Sequence, residues 1–151
     1  MVNNSKTYNI MKNVLVIGST GQIGSELTMK LRNMIPDGNI VAGYIPGAEP
    51  KGVLLESGPA AEANVKNAQQ LADIVEKYKI DTIYNLAALL SAVAESKPLL
   101  AWDIQMNGLI NILEIAREKK CAVFTPSSHR PPSAPPSPDR AFPPARRRGG
   151  R

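Results

Sequence analysis

The 151-residue chain is long enough for one domain with a hydrophobic core but too short for two ordinary domains, and its single cysteine excludes an internal disulfide. No apolar run approaches the roughly 20 residues that a membrane span needs, and the N-terminus lacks the apolar segment of a signal peptide, so we expect a soluble, cytoplasmic protein with no membrane partner. The formal net charge of +5 is confined to residues 129–151, because residues 1–128 carry twelve basic and twelve acidic side chains, and we expect no nucleic-acid partner.

The first predicted elements are a strand and a helix. Residues 13–17 form a continuous apolar, β-branched run that a glycine ends, which is typical of a strand buried on both faces. Residues 22–34 then place four apolar side chains on one stripe of a predicted helix: Ile23, Leu27, Leu31 and Met34. The Pro-Asp-Gly-Asn sequence at 36–39 ends that helix and turns the chain.

The next predicted elements are two strands and a helix. A second strand is predicted over 40–42, and a weaker third strand over 60–65 follows a connection punctuated by proline and glycine. Asn67 and Gln70 form a helix-start signature, in which the Asn side chain caps a backbone N–H and the Gln side chain reaches back. The next helix is predicted to bury one face, made of Leu71, Ile74, Val75 and Tyr78.

The last predicted elements are a strand, a long helix and a fifth strand. Residues 81–88 form a strand that runs into a turn of small residues. Pro98 then begins a helix that ends at the cations at 119–120. The apolar residues of that helix recur at steps of four and three: Trp102, Met106, Leu109, Leu113 and Ala116. Residues 121–124 form the fifth strand.

The order of these elements predicts an α/β fold with a doubly wound parallel sheet, a Rossmann-like architecture with right-handed crossovers. The pattern stops after the fifth strand, about where a dinucleotide-binding fold continues into its second half. We therefore expect three parts: an N-terminal extension at 1–12, a truncated Rossmann-like domain at 13–128, and a disordered tail at 129–151.

One short motif carries most of the chemistry. Residues 18–24, Gly-Ser-Thr-Gly-Gln-Ile-Gly, join the first strand to the first helix with the spacing GxxGxxG. Such glycines permit a tight turn, a close approach of backbone to phosphate, and close packing of helix on strand, and the helix N-terminus adds free N–H groups. The motif predicts a dinucleotide pyrophosphate site, and the alternative is a merely structural turn.

Three later stretches narrow the interpretation. They are 84–93, Tyr-Asn-Leu-Ala-Ala-Leu-Leu-Ser-Ala-Val; 100–109, Leu-Ala-Trp-Asp-Ile-Gln-Met-Asn-Gly-Leu; and 124–128, Phe-Thr-Pro-Ser-Ser. With the glycine motif, they make residues 13–128 resemble the extended short-chain dehydrogenase/reductases of the NAD-dependent epimerase/dehydratase superfamily, and among them the L-threonine 3-dehydrogenases. The resemblance implies the N-terminal portion of an oxidoreductase of threonine catabolism, which oxidises L-threonine with NAD to 2-amino-3-oxobutanoate and is a homodimer at full length.

The resemblance also implies roles for individual residues. The pyrophosphate would lie on the glycine motif, at Gly18, Gly21, Gln22, Ile23 and Gly24. Leu86, Ala87 and Ala88 would line the dinucleotide beyond it, and Ser91 would contact L-threonine. Ser128 would be the catalytic hydroxyl that polarises the substrate alcohol beside a tyrosine base. The alternative for Ser91 is an ordinary polar cap before the Pro98 helix, and no metal site is predicted.

Two positions depart from the usual pattern for the adenosine end of NAD. Such folds usually end the second strand with an acid that binds the ribose hydroxyls, whereas this chain has Tyr44, which can stack on adenine or donate one hydrogen bond. The resemblance implies Asp-Val after the third strand, where this chain has Asn64 and Val65. Asn64 can still hydrogen-bond an adenine edge, so we expect NAD binding of reduced affinity.

The catalytic base of the superfamily is missing from the printed sequence. The chemistry needs a Tyr-x-x-x-Lys on the helix after Ser128, because a base must lie within hydrogen-bond reach of the reacting hydroxyl. No Tyr or Lys follows Ser128, and the pair Tyr8 and Lys12, which has this spacing, precedes the first strand. We therefore expect a poor or inactive dehydrogenase whose strand edge and sheet face are exposed and favour aggregation.

Residues 129–151 contain seven Pro and six Arg and are not expected to form a packed element. One interpretation is a functional tail, a basic arm or a polyproline II ligand. A second is a harmless disordered extension. The favoured third interpretation is a shifted reading frame, because codons for 129–135 read two bases later can encode Ala-Ala-Phe-Gly-Pro, which resembles the residues after the Ser-Ser pair in the family.

Two other functions stay open from the sequence alone. One is a nucleotide-sugar epimerase or dehydratase of the same superfamily, disfavoured by the Leu-Ser-Ala sequence at 90–92 and the Trp-Asp-Ile sequence at 102–104. The other is a non-catalytic dinucleotide-binding module whose tail recruits a partner.

Overall fold

A computed structural model describes residues 11–88 and 91–126, of which 91–93 are described by their backbone alone. The described residues contain one sheet of five strands in the order β3-β2-β1-β4-β5, and every neighbouring pair is parallel. The strands are β1 (Val14–Ile17), β2 (Ile40–Tyr44), β3 (Ala60–Glu62), β4 (Thr82–Asn85) and β5 (Ala122–Phe124). The predicted α/β fold with a parallel, Rossmann-like sheet is confirmed. The extension at 1–10 and the tail from 127 lie outside the described residues.

Six α-helices accompany the sheet in the described residues. They are α1 (Gln22–Met34), α2 (Val53–Glu56), α3 (Ala68–Lys77), α4 (Ser91–Ser96), α5 (Pro98–Trp102) and α6 (Gly108–Lys119). A π-helical turn at Asp103–Asn107 joins α5 to α6, so the long helix predicted from Pro98 is one run with a local change of hydrogen bonding. The sequence did not predict α2 and α4, which are too short for a periodic apolar pattern.

The central strand β1 organises the core. Its side chains are 0–2% exposed, and alternate ones point to opposite faces of the sheet. Leu15 and Ile17 pack with apolar residues of α3 and α6, whereas Val14 and Val16 pack with Leu31 of α1. Strands β2 and β3 lie on one side of β1, and β4 and β5 on the other. The carboxyl ends of β1 and β4 therefore form a topological switch point, where open α/β sheets bind ligands.

The predicted apolar stripe of α1 is wrong at both ends. Ile23 is 74% exposed and Met34 65% exposed, and the residues that α1 buries are Gly24, Thr28 and Leu31. The buried line is displaced by about one residue because Gly24 packs directly against the backbone of Gly18 and Ser19. Thr28 is accommodated in the interior because its hydroxyl donates to the Gly24 carbonyl at 2.7 Å.

The predicted stripe of the long helix is also wrong in part. Trp102, Met106 and Leu113 are exposed, whereas Ala116 is buried as predicted. The other buried apolar residues of α5 and α6 are Ala101, Ile112 and Ile115, which lie outside the predicted stripe. The helix is apolar on two faces, so periodicity alone does not identify the buried one. Close packing determines which face is buried, because a Cβ on Gly108 would lie 2.6 Å from the Val65 side chain.

The predicted start of α3 is confirmed, with one difference. The Asn67 side chain accepts the Gln70 backbone N–H at 3.1 Å, and Leu71, Ile74 and Val75 are buried. The Gln70 side chain, however, accepts the Asn64 backbone N–H at 3.0 Å instead of returning to Asn67. Gln70 thereby ties α3 to the segment after β3, a strand that ends three residues earlier than predicted.

Candidate functional site

The loop after β1 is fixed by the end of β2. The Gly18 and Ser19 N–H groups both donate to the Gly43 carbonyl, at 3.1 and 3.0 Å, and the buried Ser19 hydroxyl donates to it at 2.9 Å. Gly18 has φ +79°, and a Cβ there would lie 3.0 Å from the Leu86 carbonyl. The loop therefore requires a glycine at this position and is held between the ends of β2 and β4.

The N-terminus of α1 opens onto free space. Gly21 precedes the helix, no side chain among the described residues caps it, and its first turn holds no acidic residue. A Cβ on Gly21 would meet only the Gly18 carbonyl oxygen, at 3.4 Å. The first backbone N–H groups of a helix lack intrahelical partners and carry a partial positive charge, so this cradle fits an anion such as a pyrophosphate.

A cavity of about 440 Å³ lies in front of this helix, a size within the range of small-molecule sites. We call it the glycine-loop cavity. Its walls come from the carboxyl ends of β1, β2 and β4, the segment after β3, and the π-helical turn, and its lining residues are Ile17, Gly18, Thr20, Gly21, Tyr44, Ile45, Pro46, Ala48, Ala63, Asn64, Val65, Lys66, Leu86, Ala87, Ala88 and Ile104.

The structure brings together eight of the eleven residues that the sequence proposes for the cofactor: Gly18, Gly21, Tyr44, Asn64, Val65, Leu86, Ala87 and Ala88. Gln22 and Ile23 do not line the cavity, and the Ile23 side chain points to solvent, so a contact from either residue would involve its backbone N–H. Gly24 lies beneath the loop and acts through packing.

The two serines proposed for substrate and catalysis are not placed. Ser91 begins α4, and its side chain is not among those described. Ser128 lies outside the described residues, two positions after Pro126. A second cavity of about 420 Å³ shares Leu86, Ala87 and Ala88 with the first and reaches Thr125 and Pro126, so the two cavities meet at the turn after β4.

The segment after β3 is held by side chains distant in sequence. The side-chain oxygen Oδ1 of Asn64 accepts the Lys66 backbone N–H at 3.0 Å, which leaves the side-chain nitrogen Nδ2 of Asn64 as a hydrogen-bond donor. Asn111 of α6 donates to the Val65 carbonyl at 2.9 Å. These bonds fix the backbone at the position where the resemblance expects the adenine edge.

Lys66 was missed by sequence reasoning, as was Ile104. The Lys66 ammonium lies 2.7 Å from the Asp103 carboxylate, which connects the end of the β3 segment to the π-helical turn. Hydrogen bonds from Lys66 and, secondarily, Asn107 hold the pKa of Asp103 below its usual range. Ile104 reaches the cavity because the π-helical turn lies beside the segment after β3, and no local pattern predicts this contact between distant elements.

The described residues show neither a candidate metal site nor a membrane-spanning helix. No group of three His, Cys, Asp or Glu side chains at 11–88 or 91–126 could hold a metal ion. No helix of this part of the chain is both long and apolar enough to cross a membrane.

A parallel sheet with a glycine loop at its switch point defines the class of Rossmann-like nucleotide-binding folds. The chain belongs to the NAD dependent epimerase/dehydratase family, whose sequence profile matches residues 14–147. A curated relative, an uncharacterized epimerase/dehydratase of Staphylococcus saprophyticus, is 45% identical over 118 residues, which are 78% of this chain and 37% of the relative. The chain therefore spans little more than a third of the curated relatives that it matches.

Solved structures also match about three quarters of this chain and little more than a third of their own length. An L-threonine dehydrogenase from Clostridium difficile is 51% identical, with a TM-score of 0.70 over 78% of this chain and 37% of its own. The holo form of a GalE-like L-threonine dehydrogenase from Cupriavidus necator is 34% identical, with a TM-score of 0.66 over 74% of this chain and 35% of its own. A UDP-glucose-4-epimerase from Stenotrophomonas maltophila with bound NAD, 21% identical at a TM-score of 0.66 over 76% and 36%, supports the fold alone.

Proposed function

We propose that this chain forms the NAD-binding part of an L-threonine 3-dehydrogenase. The observation that carries the proposal is the glycine-loop cavity, which an open helix N-terminus faces and which gathers eight of the proposed cofactor residues. The 51% identity to the Clostridium difficile enzyme supports the substrate. The part that binds NAD is proposed to be residues 13–128, in a cytoplasmic protein.

The described residues suit the parts of NAD in different ways. The N–H groups at the start of α1 would hold the pyrophosphate, and the hydrogen bonds from Gly18 and Ser19 to the Gly43 carbonyl hold the loop in position. Tyr44 and Asn64 would contact the adenosine, and Ala87 and Ala88 the other half of the dinucleotide. When bound, NAD supplies the hydride acceptor for an alcohol oxidation.

The substrate groups would act at the second cavity. Ser91 would bind L-threonine, and Ser128 would donate a hydrogen bond that polarises the reacting hydroxyl, next to a base that takes its proton. The printed sequence has no Tyr or Lys after Ser128 to serve as that base and its partner. We therefore expect the 151-residue chain to bind NAD without oxidising L-threonine.

Two experiments test the proposal. Calorimetric titration of the 151-residue chain with NAD should show saturable binding, and a folded chain that binds no NAD would overturn the proposal. A chimera that joins residues 1–128 to the remaining region of the Clostridium difficile enzyme should then form NADH with L-threonine. The same chimera with Ser91→Ala should lose that activity while it still binds NAD.

Epimerisation of UDP-glucose, without oxidation of L-threonine, would assign the chain to the nucleotide-sugar enzymes instead.

The reading frame is open to a direct test. Sequencing the DNA across codon 129 should reveal an alternative frame that continues with Tyr-x-x-x-Lys, if residues 129–151 arise from a frameshift. The absence of such a frame would contradict that interpretation and leave a tail whose removal can be tested for an effect on NAD binding.

A further inference from the structure

In a dinucleotide-binding fold, the residue at the end of β2 helps to discriminate between NAD and NADP, which differ at the 2′ position of the adenosine ribose. In such folds an acid at this position accepts hydrogen bonds from the ribose hydroxyls of NAD, and a nearby cation accommodates the 2′-phosphate of NADP. This chain places Tyr44 there, half-buried and lining the glycine-loop cavity, directly after the Gly43 carbonyl that holds the loop. Tyr44 thus has the position of the acid without its negative charge.

No carboxylate among the described residues occupies the position of the ribose-binding acid. Glu62 is the register partner of Tyr44 on β3, but its carboxylate accepts from the Gln70 side chain at 3.2 Å and does not line the cavity. Glu49, in the loop after β2, turns back to accept the Gly47 N–H at 2.9 Å. Neither carboxylate is among the described residues that line the cavity.

A cation lines the same cavity. Lys66 lines the cavity two residues after Asn64, and its side chain is 45% exposed. It is paired with Asp103, whose side chain is 32% exposed. Partly exposed ion pairs contribute little to stability, so the Lys66 ammonium can turn to an incoming phosphate at a small cost.

We propose that the glycine-loop cavity binds NADP about as tightly as NAD, because Tyr44 replaces the ribose acid and Lys66 supplies a positive charge. This inference rests on the proposed function, since it requires that the cavity binds a dinucleotide. It concerns the adenosine end of the ligand, which is remote from the substrate, and it is therefore measurable by binding alone.

The first test is a pair of titrations of the 151-residue chain, with NAD and with NADP, in the same buffer and salt. We expect dissociation constants within about fivefold of each other, which corresponds to a difference in binding free energy of about 1 kcal/mol or less. Preference for NAD by more than about thirtyfold would overturn this inference and leave the proposed function intact. Binding of neither dinucleotide would overturn both.

Variants identify the residues responsible. Tyr44→Asp should weaken NADP binding by about tenfold or more relative to NAD, because it places a carboxylate beside the 2′-phosphate. Lys66→Gln should weaken NADP more than NAD. Glu62→Gln is the matched control and should leave the ratio of the two constants as in the parent chain. A change of that ratio in Glu62→Gln would identify Glu62 as the ribose acid and overturn the proposal.

Circular dichroism melting of each variant separates a loss of fold from a loss of binding. Tyr44 ends a strand and is only half-buried, so Tyr44→Asp is compatible with the fold. The parent ratio decides the proposal even where a variant does not fold, since it needs no substitution.

Discussion

Gly24 lies so close beneath Gly18 that a Cβ on Gly24 would overlap the Gly18 carbonyl oxygen and lie 2.9 Å from Ser19 Cα. Gly24→Ala must therefore displace either α1 or the glycine loop. Alanine is the better helix former by about 1 kcal/mol, but the backbone clash outweighs it, and we expect a net loss of about 1–3 kcal/mol in the free energy of unfolding. Urea unfolding measures this loss, and NAD titration should show weakened binding as well.

Gly21→Ala separates stability from binding. A Cβ on Gly21 meets the Gly18 carbonyl oxygen at an ordinary contact distance of 3.4 Å, and the Gly21 φ of −72° suits alanine. We expect the free energy of unfolding to fall by no more than about 1 kcal/mol, because alanine is a poorer N-cap residue than glycine. The added methyl group enters the space in front of α1, so NAD binding should fall by about tenfold or more. Equal destabilisation of the two glycine variants would contradict this geometry.

Arg32 connects α1 to the start of β2 and to the end of the connection between β2 and β3. Its guanidinium donates to the carbonyls of Ile40, Leu54 and Pro59 at distances of 2.6–3.2 Å, and to the Ser57 hydroxyl at 2.8 Å. Partial burial lowers its pKa from the ordinary value. Arg32→Gln cannot reproduce this set of bonds and should destabilise the fold by about 1–3 kcal/mol in urea unfolding.

Lys30→Gln is the control for Arg32→Gln, since Lys30 is an exposed cation of the same helix. It should change the unfolding free energy by no more than about 0.5 kcal/mol. Arg32→Gln should also weaken NAD binding, because residues 45–48, which include three lining residues, belong to the connection that leads to the Arg32-bonded segment. Similar effects of the two variants would show that only the charge of Arg32 matters.

The sequence predicts the sheet better than it predicts the faces of the helices. Buried strands read as apolar runs, and the glycine spacing is local, so the order of elements and the loop follow from neighbours in the chain. Helix α1 shows the limit, because backbone packing at Gly24 displaces its buried line from Ile23. Ile104 enters the site, and Lys66 pairs with Asp103, through contacts between distant elements, which no window of sequence contains.

The outer face of α5, the π-helical turn and α6 is a long apolar stripe in the part of the chain that the structure describes. Its members, spaced three or four residues apart, are exposed: Leu99, Trp102, Met106, Ile110 and Leu113. Exposed patches of this kind favour association. A chain with both Leu99→Lys and Ile110→Lys should scatter less light at equal concentration while it keeps the parent's unfolding midpoint.

Ala101→Lys is the control for this surface, because Ala101 is 8% exposed and belongs to the buried line of the same helix. It should lower the free energy of unfolding by about 2 kcal/mol or more, since it places an ammonium without a partner in the core. Unchanged scattering of the double Lys variant would show that another surface, such as the edge strand β5, drives association.

Cys121 provides a pH-dependent measure of folding, because it is the single cysteine of the chain. Its thiol donates to the Ile80 carbonyl at 3.1 Å, and burial, with a smaller contribution from Asp81, raises its thiol pKa. The unfolded chain therefore releases the thiol proton at a lower pH than the folded chain. This contribution to stability is complete below about pH 8.5, the ordinary pKa of a free thiol, and is lost as the pH rises towards the folded value. Urea unfolding should show that the free energy of unfolding declines from pH 7 to pH 10, and that Cys121→Ala makes this decline smaller. Iodoacetamide at pH 8 should label the folded chain more slowly than the unfolded chain, and equal rates would contradict the raised pKa.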